Sequence, residues 1–139
     1  MKNPIEVSVL INSTLEKVWN AWTKEEFVKI WNVPFADWHC PSVKNDVRTD
    51  GDFNFRMEKL DGSEGFDYKG RYLEVIPFSK IETLQEDGRK SLIIFKEQGK
   101  LLELTEQFEP EAQTELSLQK EFCQSVLNKF KDFVENLEG

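Results

Sequence analysis

The sequence predicts an α+β fold in which a curved antiparallel sheet of seven strands packs around one long C-terminal helix. Three observations support this prediction. An early strand is followed by two short amphipathic helices, and the middle of the chain alternates apolar and polar residues between turn signals. The last segment carries an apolar stripe at helical spacing. The predicted order of elements is therefore β-α-α-β-β-β-β-β-β-α.

The first strand is predicted over residues 6–11, where Val7, Val9 and Ile11 alternate with their neighbours. Two capping boxes follow, at residues 13–16 and 23–26, with Ser13 and Thr23 as the expected capping residues. They predict two consecutive helices, the second of which ends before Pro34. The apolar positions of the two helices are Leu15, Val18, Trp19, Trp22, Phe27, Ile30 and Trp31.

Six further strands are predicted in the middle of the chain. Period-two alternation and turn signals at Asp50-Gly51, Asp61-Gly62, Asp87-Gly88 and Gln98-Gly99 separate them. They lie at residues 43–47, 53–58, 66–76, 80–85, 91–95 and 101–108.

The last segment forms the long helix. Its apolar side chains fall within an arc of roughly 140° at helical periodicity. These side chains are Phe122, Cys123, Val126, Leu127, Phe130, Phe133, Val134 and Leu137. The inner face of the sheet is the large surface on which this stripe can rest, so we expect Phe122, Val126 and Phe133 to be buried there.

Length and charge restrict the classes of function. The chain has 139 residues, which predicts a single domain over residues 1–139. A net charge of -8 argues against nucleic acid and anionic membrane surfaces as partners. The absence of a long apolar run or signal-peptide core predicts a cytoplasmic protein.

The sequence predicts neither a metal nor a cofactor. The chain has one histidine and two cysteines, without the paired spacing of metal ligands. It also lacks a phosphate-binding loop, a nucleotide fingerprint and a nucleophile motif. The two cysteines are expected to be reduced.

An ordered series of short motifs carries a family resemblance over nearly the whole chain. The motifs are EKVW at 16–19, WNVP at 31–34, DWHCP at 37–41, NDVR at 45–48, GDF at 51–53, RME at 56–58, DGS at 61–63, GFDY at 65–68, GRYLEV at 70–75 and LTEQF at 104–108. Together they resemble a bacterial stand-alone branch of the proteins similar to the activator of the heat-shock protein 90 ATPase. That family has the helix-grip fold of the START-like, or SRPBCC, superfamily, which hosts lipid carriers, hormone receptors, cyclases and chaperone activators.

The sequence departs from the family pattern at two places. Asp50 replaces the first glycine of a Gly pair before the third strand, and aspartate tolerates the left-handed backbone better than most residues. Phe122-Cys123 stands where Gly-Trp is frequent in the last helix. The added ring predicts less room beneath the helix.

The expected ligand cavity lies between the last helix and the sheet. Alternation places the aromatic residues of the third and fourth strands inward, with Trp38 and His39 at the mouth. The full set is Trp38, His39, Phe53, Phe55, Met57, Phe66, Tyr68, Tyr72, Phe122 and Val126. Two interpretations stay open: these rings line a space for a flat apolar molecule, with a Tyr68 or Tyr72 hydroxyl orienting it, or they pack against one another as core.

Weak candidates for catalysis are His39, Asp46 and Tyr72. His39 and the adjacent Cys40 point to opposite sides of an extended segment, so one of them faces inward. The alternative is a loop packed against the first helices. Arg56 and Asp67 are expected on the solvent face, because their neighbours take the inner one.

Three functions follow from these residues and the resemblance. The first is a binding module for a small apolar ligand. The second is a co-chaperone-like stimulator of a heat-shock protein 90 ATPase, which the resemblance alone implies. The third is a cyclase or dehydratase, which would require an acid or base inside the cavity.

Overall fold

The computed structural model describes residues 1–33 and 35–137. Within these ranges it has the predicted order of elements and the predicted fold class. The elements are β1 (Ile5–Ile11), α1 (Leu15–Thr23), α2 (Glu25–Trp31), β2 (Trp38–Asn45), β3 (Asp52–Lys59), β4 (Gly65–Ile76), β5 (Lys80–Gln85), β6 (Lys90–Gln98), β7 (Leu101–Phe108) and α3 (Leu116–Glu135). Pro34, which predicts the end of the second helix, lies outside the described residues, and α2 ends at Trp31.

The seven strands form one antiparallel sheet in the order β1-β7-β6-β5-β4-β3-β2. Consecutive strands from β2 to β7 are joined as hairpins, and β1 pairs with β7. The register shifts in β2 between His39 and Ser42, and in β4 between Tyr72 and Glu74. Such irregularities bend the strand and increase its twist, which curves the sheet around α3.

Gly70 allows close approach of β4 and its neighbours. A Cβ atom at this position would lie 2.3 Å from the carbonyl oxygen of Leu84 and 3.0 Å from the ring of Phe53. A side chain is therefore excluded at this position.

The helix caps differ from the predicted ones. Thr14, rather than Ser13, caps α1, and its hydroxyl accepts a 3.2 Å hydrogen bond from the backbone of Lys17. Thr23 belongs to the last turn of α1, where its hydroxyl donates to the carbonyl of Trp19 at 2.8 Å. Lys24 therefore occupies the N-cap position of α2, and its side chain makes no capping hydrogen bond.

The two short helices pack on one another through their tryptophans. Trp31 donates a buried 2.8 Å hydrogen bond from its indole Nε1 to the carbonyl of Ala21, and its ring stacks on Trp22 at 4.7 Å. The prediction for Ile30 is wrong: this residue is exposed, and Val28 is buried in its place. The contacts of Trp31 with α1 turn its face of α2 inward, and Val28, three residues earlier, lies on the same face.

Helix α3 lies across the concave face of the sheet, but its buried stripe is rotated from the predicted one. Phe122 is 40% exposed, and Val126 and Phe133 are only partly buried. The fully buried side chains are Leu127, Phe130 and Val134. The expected burial of Phe122 is therefore wrong.

Contacts in the middle and in the C-terminal half of α3 explain this rotation. The ring of Phe130 packs edge-on against Trp22 and Trp31, with centroids 5.0 and 4.9 Å away. Gln124 donates a 3.0 Å hydrogen bond to the carbonyl of Ser8 in β1, and Glu135 accepts one of 2.7 Å from the backbone of Asn12. These contacts fix α3 on β1 and on the short helices.

Some boundaries also differ from those predicted. β2 begins at Trp38 and ends at Asn45, whereas a strand at residues 43–47 was expected. β6 continues to Gln98, beyond the predicted end at residue 95, and α3 begins at Leu116. Asp50 has a φ of 69°, so this aspartate does hold the left-handed turn that a glycine would favour.

Candidate functional site: an aromatic cavity beneath the last helix

A cavity of about 210 Å³ lies between α3 and the inner face of the sheet. Its wall combines residues of β3 to β7 with residues of all three helices. The lining residues are Trp22, Trp31, Asn32, Phe53, Phe55, Met57, Phe66, Tyr68, Tyr72, Ile81, Thr83, Ser91, Ile93, Glu106, Phe122, Cys123 and Val126.

Two neighbouring strands supply the aromatic side of the cavity. Alternation along β3 turns Phe53, Phe55 and Met57 inward, and all three are buried. Phe53 lies 5.4 Å from Tyr68 and 5.1 Å from Tyr72, measured between ring centroids. These rings contact one another along the sheet while their other faces border the cavity.

Two further aromatic rings mark the mouth. Phe66 and Phe122 line the cavity, yet they are 45% and 40% exposed, so they stand where it opens. Phe35 and Trp38 continue this surface outside the cavity: Phe35 lies 5.7 Å from Phe122, and Trp38 lies 5.6 Å from Phe66. We call these four residues the aromatic rim. Trp38, which was expected at the mouth, lies in this rim and does not line the cavity itself.

The hydroxyl of Tyr72 is engaged within the protein. It donates a hydrogen bond to the side-chain oxygen of Asn45. The amide of Asn45 in turn donates to the carbonyl of Thr23 at 2.8 Å. This chain of bonds ties β4 to β2 and α1, and it uses the proton of the Tyr72 hydroxyl within the protein.

Thr83 and Ser91 form a second polar contact in the wall. Their hydroxyls bond to each other across β5 and β6, at paired positions of the register. Both residues are buried. The pair therefore satisfies itself and presents little polarity to the cavity.

Glu106 is a cavity-lining residue that the sequence analysis did not predict. Along β7 the inward positions are Leu102, Leu104, Glu106 and Phe108, so one carboxyl interrupts an otherwise apolar face. The side chain lines the cavity. Alternation would have found it, because a glutamate in phase with three buried apolar residues is unusual.

Burial controls the ionisation of the groups around Glu106. Removal from water raises the pKa of the Glu106 carboxyl to about 7. Burial raises the pKa of the Tyr68 hydroxyl, and the charge of Glu106 raises it further. The same two causes raise the pKa of the Cys123 thiol to about 12. At neutral pH Tyr68 and Cys123 are therefore uncharged, and Glu106 is poised between its two forms.

The structure does not bring His39, Asp46 and Tyr72 together. His39 is half-exposed, with its Nε2 atom 4.0 Å from Glu58 on the outer side of β3. Asp46 is exposed and bonds to Arg48 at 2.8 Å. Neither side chain lines the cavity. The arrangement therefore gives no support to an acid–base site built from these three residues.

Other charged and sulfur groups near the sheet have structural partners. Cys40, rather than His39, faces inward, and burial raises the pKa of its thiol. Arg56 bonds to Glu58 at 2.9 Å and to Asp67 at 3.4 Å on the solvent face, as alternation predicts.

In residues 1–33 and 35–137, no three His, Cys, Asp or Glu side chains are grouped as metal ligands.

Comparison with sequence models of known protein families identifies the family of this chain. The sequence model of the family described as "Activator of Hsp90 ATPase homolog 1-like protein" matches residues 12–135. The chain belongs to this family. A search of curated proteins gives no match.

Solved structures of similar chains share the fold of this family member. A protein from Cytophaga hutchinsonii, solved in solution, is 36% identical, with a TM-score of 0.85, over 96% of this chain and 93% of its own. An AHSA1-like protein from Aeromonas hydrophila is 26% identical, with a TM-score of 0.86, over 97% and 99% of the two chains. A crystallised protein from Nitrosomonas europaea is 17% identical, covers 95% and 94%, and has a TM-score of 0.80, which shows the fold alone.

The family departure at Phe122-Cys123 has a clear position in the structure. Phe122 stands at the mouth, and Cys123 borders the interior together with Val126. The Phe122 ring narrows the entrance of this family member without filling its cavity.

No helix among the described residues has both the length and the apolar character to cross a bilayer.

Proposed function

We propose that this protein binds a small apolar molecule in the cavity between α3 and the sheet. The observation that carries the proposal is the cavity itself. Protein interiors are ordinarily close-packed, yet here aromatic side chains of the sheet and helices surround about 210 Å³ that they do not fill. Concave, mostly apolar pockets with a few polar groups are typical of small-molecule sites.

The volume favours a compact ligand. Pockets for drug-sized molecules measure roughly 300–1,000 Å³, whereas an apolar cavity of about 150 Å³ accepts benzene. A space of about 210 Å³ therefore suits one ring with a short chain, or two fused rings. Sterols and long acyl chains would extend beyond the aromatic rim.

A cavity-filling variant tests the proposal. Val126→Trp places a large ring into the cavity, whereas Ser125→Trp adds the same ring to the exposed face of the same helix. Titration calorimetry with indole, phenethyl alcohol and naphthol should show binding to the wild type and to Ser125→Trp. The affinity of Val126→Trp for these compounds should be at least about tenfold lower. Failure of all three compounds to bind the wild type would refute the proposal, as would equal binding by both variants.

A second candidate is stimulation of a heat-shock protein 90 ATPase. The family description names such an activator. The aromatic rim offers exposed apolar area of the kind that protein interfaces use, since Phe35, Phe66 and Phe122 are each at least 40% exposed. ATPase assays with the chaperone of the same organism should show a rate increase that Phe35→Ala abolishes. An unchanged rate on titration would end this hypothesis.

A further inference from the structure

We propose that the molecule bound in the cavity is a small amine, whose ammonium group pairs with the carboxylate of Glu106 beneath α3. This inference rests on the ligand-binding function proposed above and names the chemical class of the ligand. It is carried by the position of Glu106, by the lack of an internal partner for its carboxyl, and by the aromatic character of the surrounding wall.

Glu106 is surrounded by apolar side chains on the inner face of the sheet. In the register it lies between Val7 of β1 and Ile93 of β6, which are 2% and 3% exposed. Leu104 and Phe108, two positions away along β7, are also buried. A carboxyl in such surroundings destabilises the fold when it is ionised, unless a partner compensates the lost hydration.

No internal partner compensates Glu106 within the part of the chain that the structure describes. No hydrogen bond or ion pair there includes its side chain. Arg89, the cation that acts on the neighbouring Tyr68 and Cys123, is held by Asp87 at 2.8 Å and by Gln85 at 3.2 Å. The open side of the carboxyl is the cavity, so a bound molecule is the available partner.

The rest of the wall favours a cation over an anion. None of the described lining residues is a lysine, arginine or histidine, so the carboxylate of a fatty acid would meet Glu106 without a counter-charge. Tyr68, Tyr72 and Phe53 instead offer aromatic faces, to which cations are attracted. The net charge of -8 further raises the local concentration of cations around the protein.

The pairing makes affinity depend on pH in a defined direction. Glu106 acts on the ionisation of Tyr68 on β4 and Cys123 on α3, and the other charged groups that act on these two are Arg89 and Asp87 at the β5–β6 turn. Tyr68 and Cys123 stay neutral near pH 7, since burial raises the pKa of each. Glu106 is therefore the group that changes charge there, and affinity for an ammonium ligand should rise as pH increases through about 7.

Three compounds of one shape and different charge test the proposal. Phenethylamine, phenethyl alcohol and hydrocinnamate are titrated by calorimetry into the wild type, Glu106→Gln and Glu103→Gln at about pH 5.5 and about pH 8. Glu103 is the control, because it lies on the other face of β7. At the higher pH, the wild type and Glu103→Gln should bind the amine at least about tenfold more tightly than the alcohol, and Glu106→Gln should lose that preference.

The outcomes separate the two proposals. If the alcohol binds but the amine binds no better, or if Glu106→Gln keeps the preference for the amine, the amine proposal is wrong while ligand binding stands. Tighter binding of hydrocinnamate than of the amine would also overturn it. If none of the three compounds binds at either pH, and indole and naphthol also fail, the ligand-binding function itself is refuted.

Discussion

At the scale of the residue, Glu106 is the one carboxyl among the described residues that line the cavity, because strand alternation turns its side chain to the same face as Leu104 and Phe108. Its neighbours across the sheet, Val7 and Ile93, belong to the core. The cavity supplies the remaining surface of the side chain. A carboxylate on this apolar strand face therefore lowers the stability of the fold, and the same carboxylate can pair with a bound cation.

Glu106→Gln should change how stability depends on pH. Burial raises the folded-state pKa of Glu106 to about 7, from an ordinary value near 4.5. The stability associated with the protonated form is fully present below the ordinary value and is lost as pH rises through about 7. Relative to the wild type, the unfolding free energy of the variant should therefore increase by on the order of 1–3 kcal/mol as pH rises from about 5 to about 8.

Urea denaturation of both proteins at the two pH values measures this difference. Glu103→Gln, on the outer face of the same strand, should show the wild-type pH dependence. Parallel stability curves for the wild type and Glu106→Gln would mean that the carboxyl is already hydrated in the folded protein.

Removal of the hydroxyl should lower stability at Tyr72 but not at Tyr68. Tyr72→Phe leaves the side chain of Asn45 without its donor, so unfolding free energy should fall by about 1–2 kcal/mol while ligand affinity is unchanged. Tyr68→Phe should leave stability within about 0.5 kcal/mol, because no bond to its hydroxyl is seen among the described residues. Denaturation and calorimetry on both variants check this, and equal losses of stability would contradict it.

At the scale of the element, α3 shows which features of a helix its hydrophobic pattern can predict. The apolar arc predicts a helix that rests on the sheet, and this is confirmed. The arc is wider than the buried stripe, however, so the pattern alone does not give the rotation. Contacts of Phe130 with Trp22 and Trp31, which are distant in sequence, turn Phe122 toward the mouth.

Truncation of two phenylalanines of α3 tests this rotation. Phe130→Ala should cost about 3–5 kcal/mol of unfolding free energy, since its ring is fully buried. Phe122→Ala should cost about 1 kcal/mol or less, because its ring is 40% exposed. Chemical denaturation gives both values. Similar costs at the two positions would show that α3 is rotated otherwise.

Local signals predicted the strands better than they predicted the ends of the helices. β5 and β7 agree with the prediction because turn residues delimit them and their alternation is regular. The N-cap of α1 was misplaced by one residue, since Ser13 and Thr14 both have capping side chains and the backbone decides between them. Trp38 and His39 were not predicted as strand, because pairing with β3 rather than local alternation makes them so.

At the scale of the whole molecule, the unfilled volume results from curvature. Register shifts in β2 and β4 and the close approach at Gly70 bend the sheet, while α3 is held by β1 and the short helices. The sequence predicts which rings face inward, but it contains no local signal for the distance between helix and sheet. Whether the rings line a space or fill it could therefore not be decided before the structure.

The most direct test of the central claim is solution NMR with methyl-labelled protein and phenethyl alcohol. The account predicts intermolecular NOEs from the aromatic protons of the ligand to the methyl groups of Val126, Ile81 and Ile93, which line the cavity. The methyl groups of the exposed residues Leu10 and Ile30 should show none. NOEs confined to exposed methyl groups, or their absence at saturating ligand, would contradict binding beneath α3.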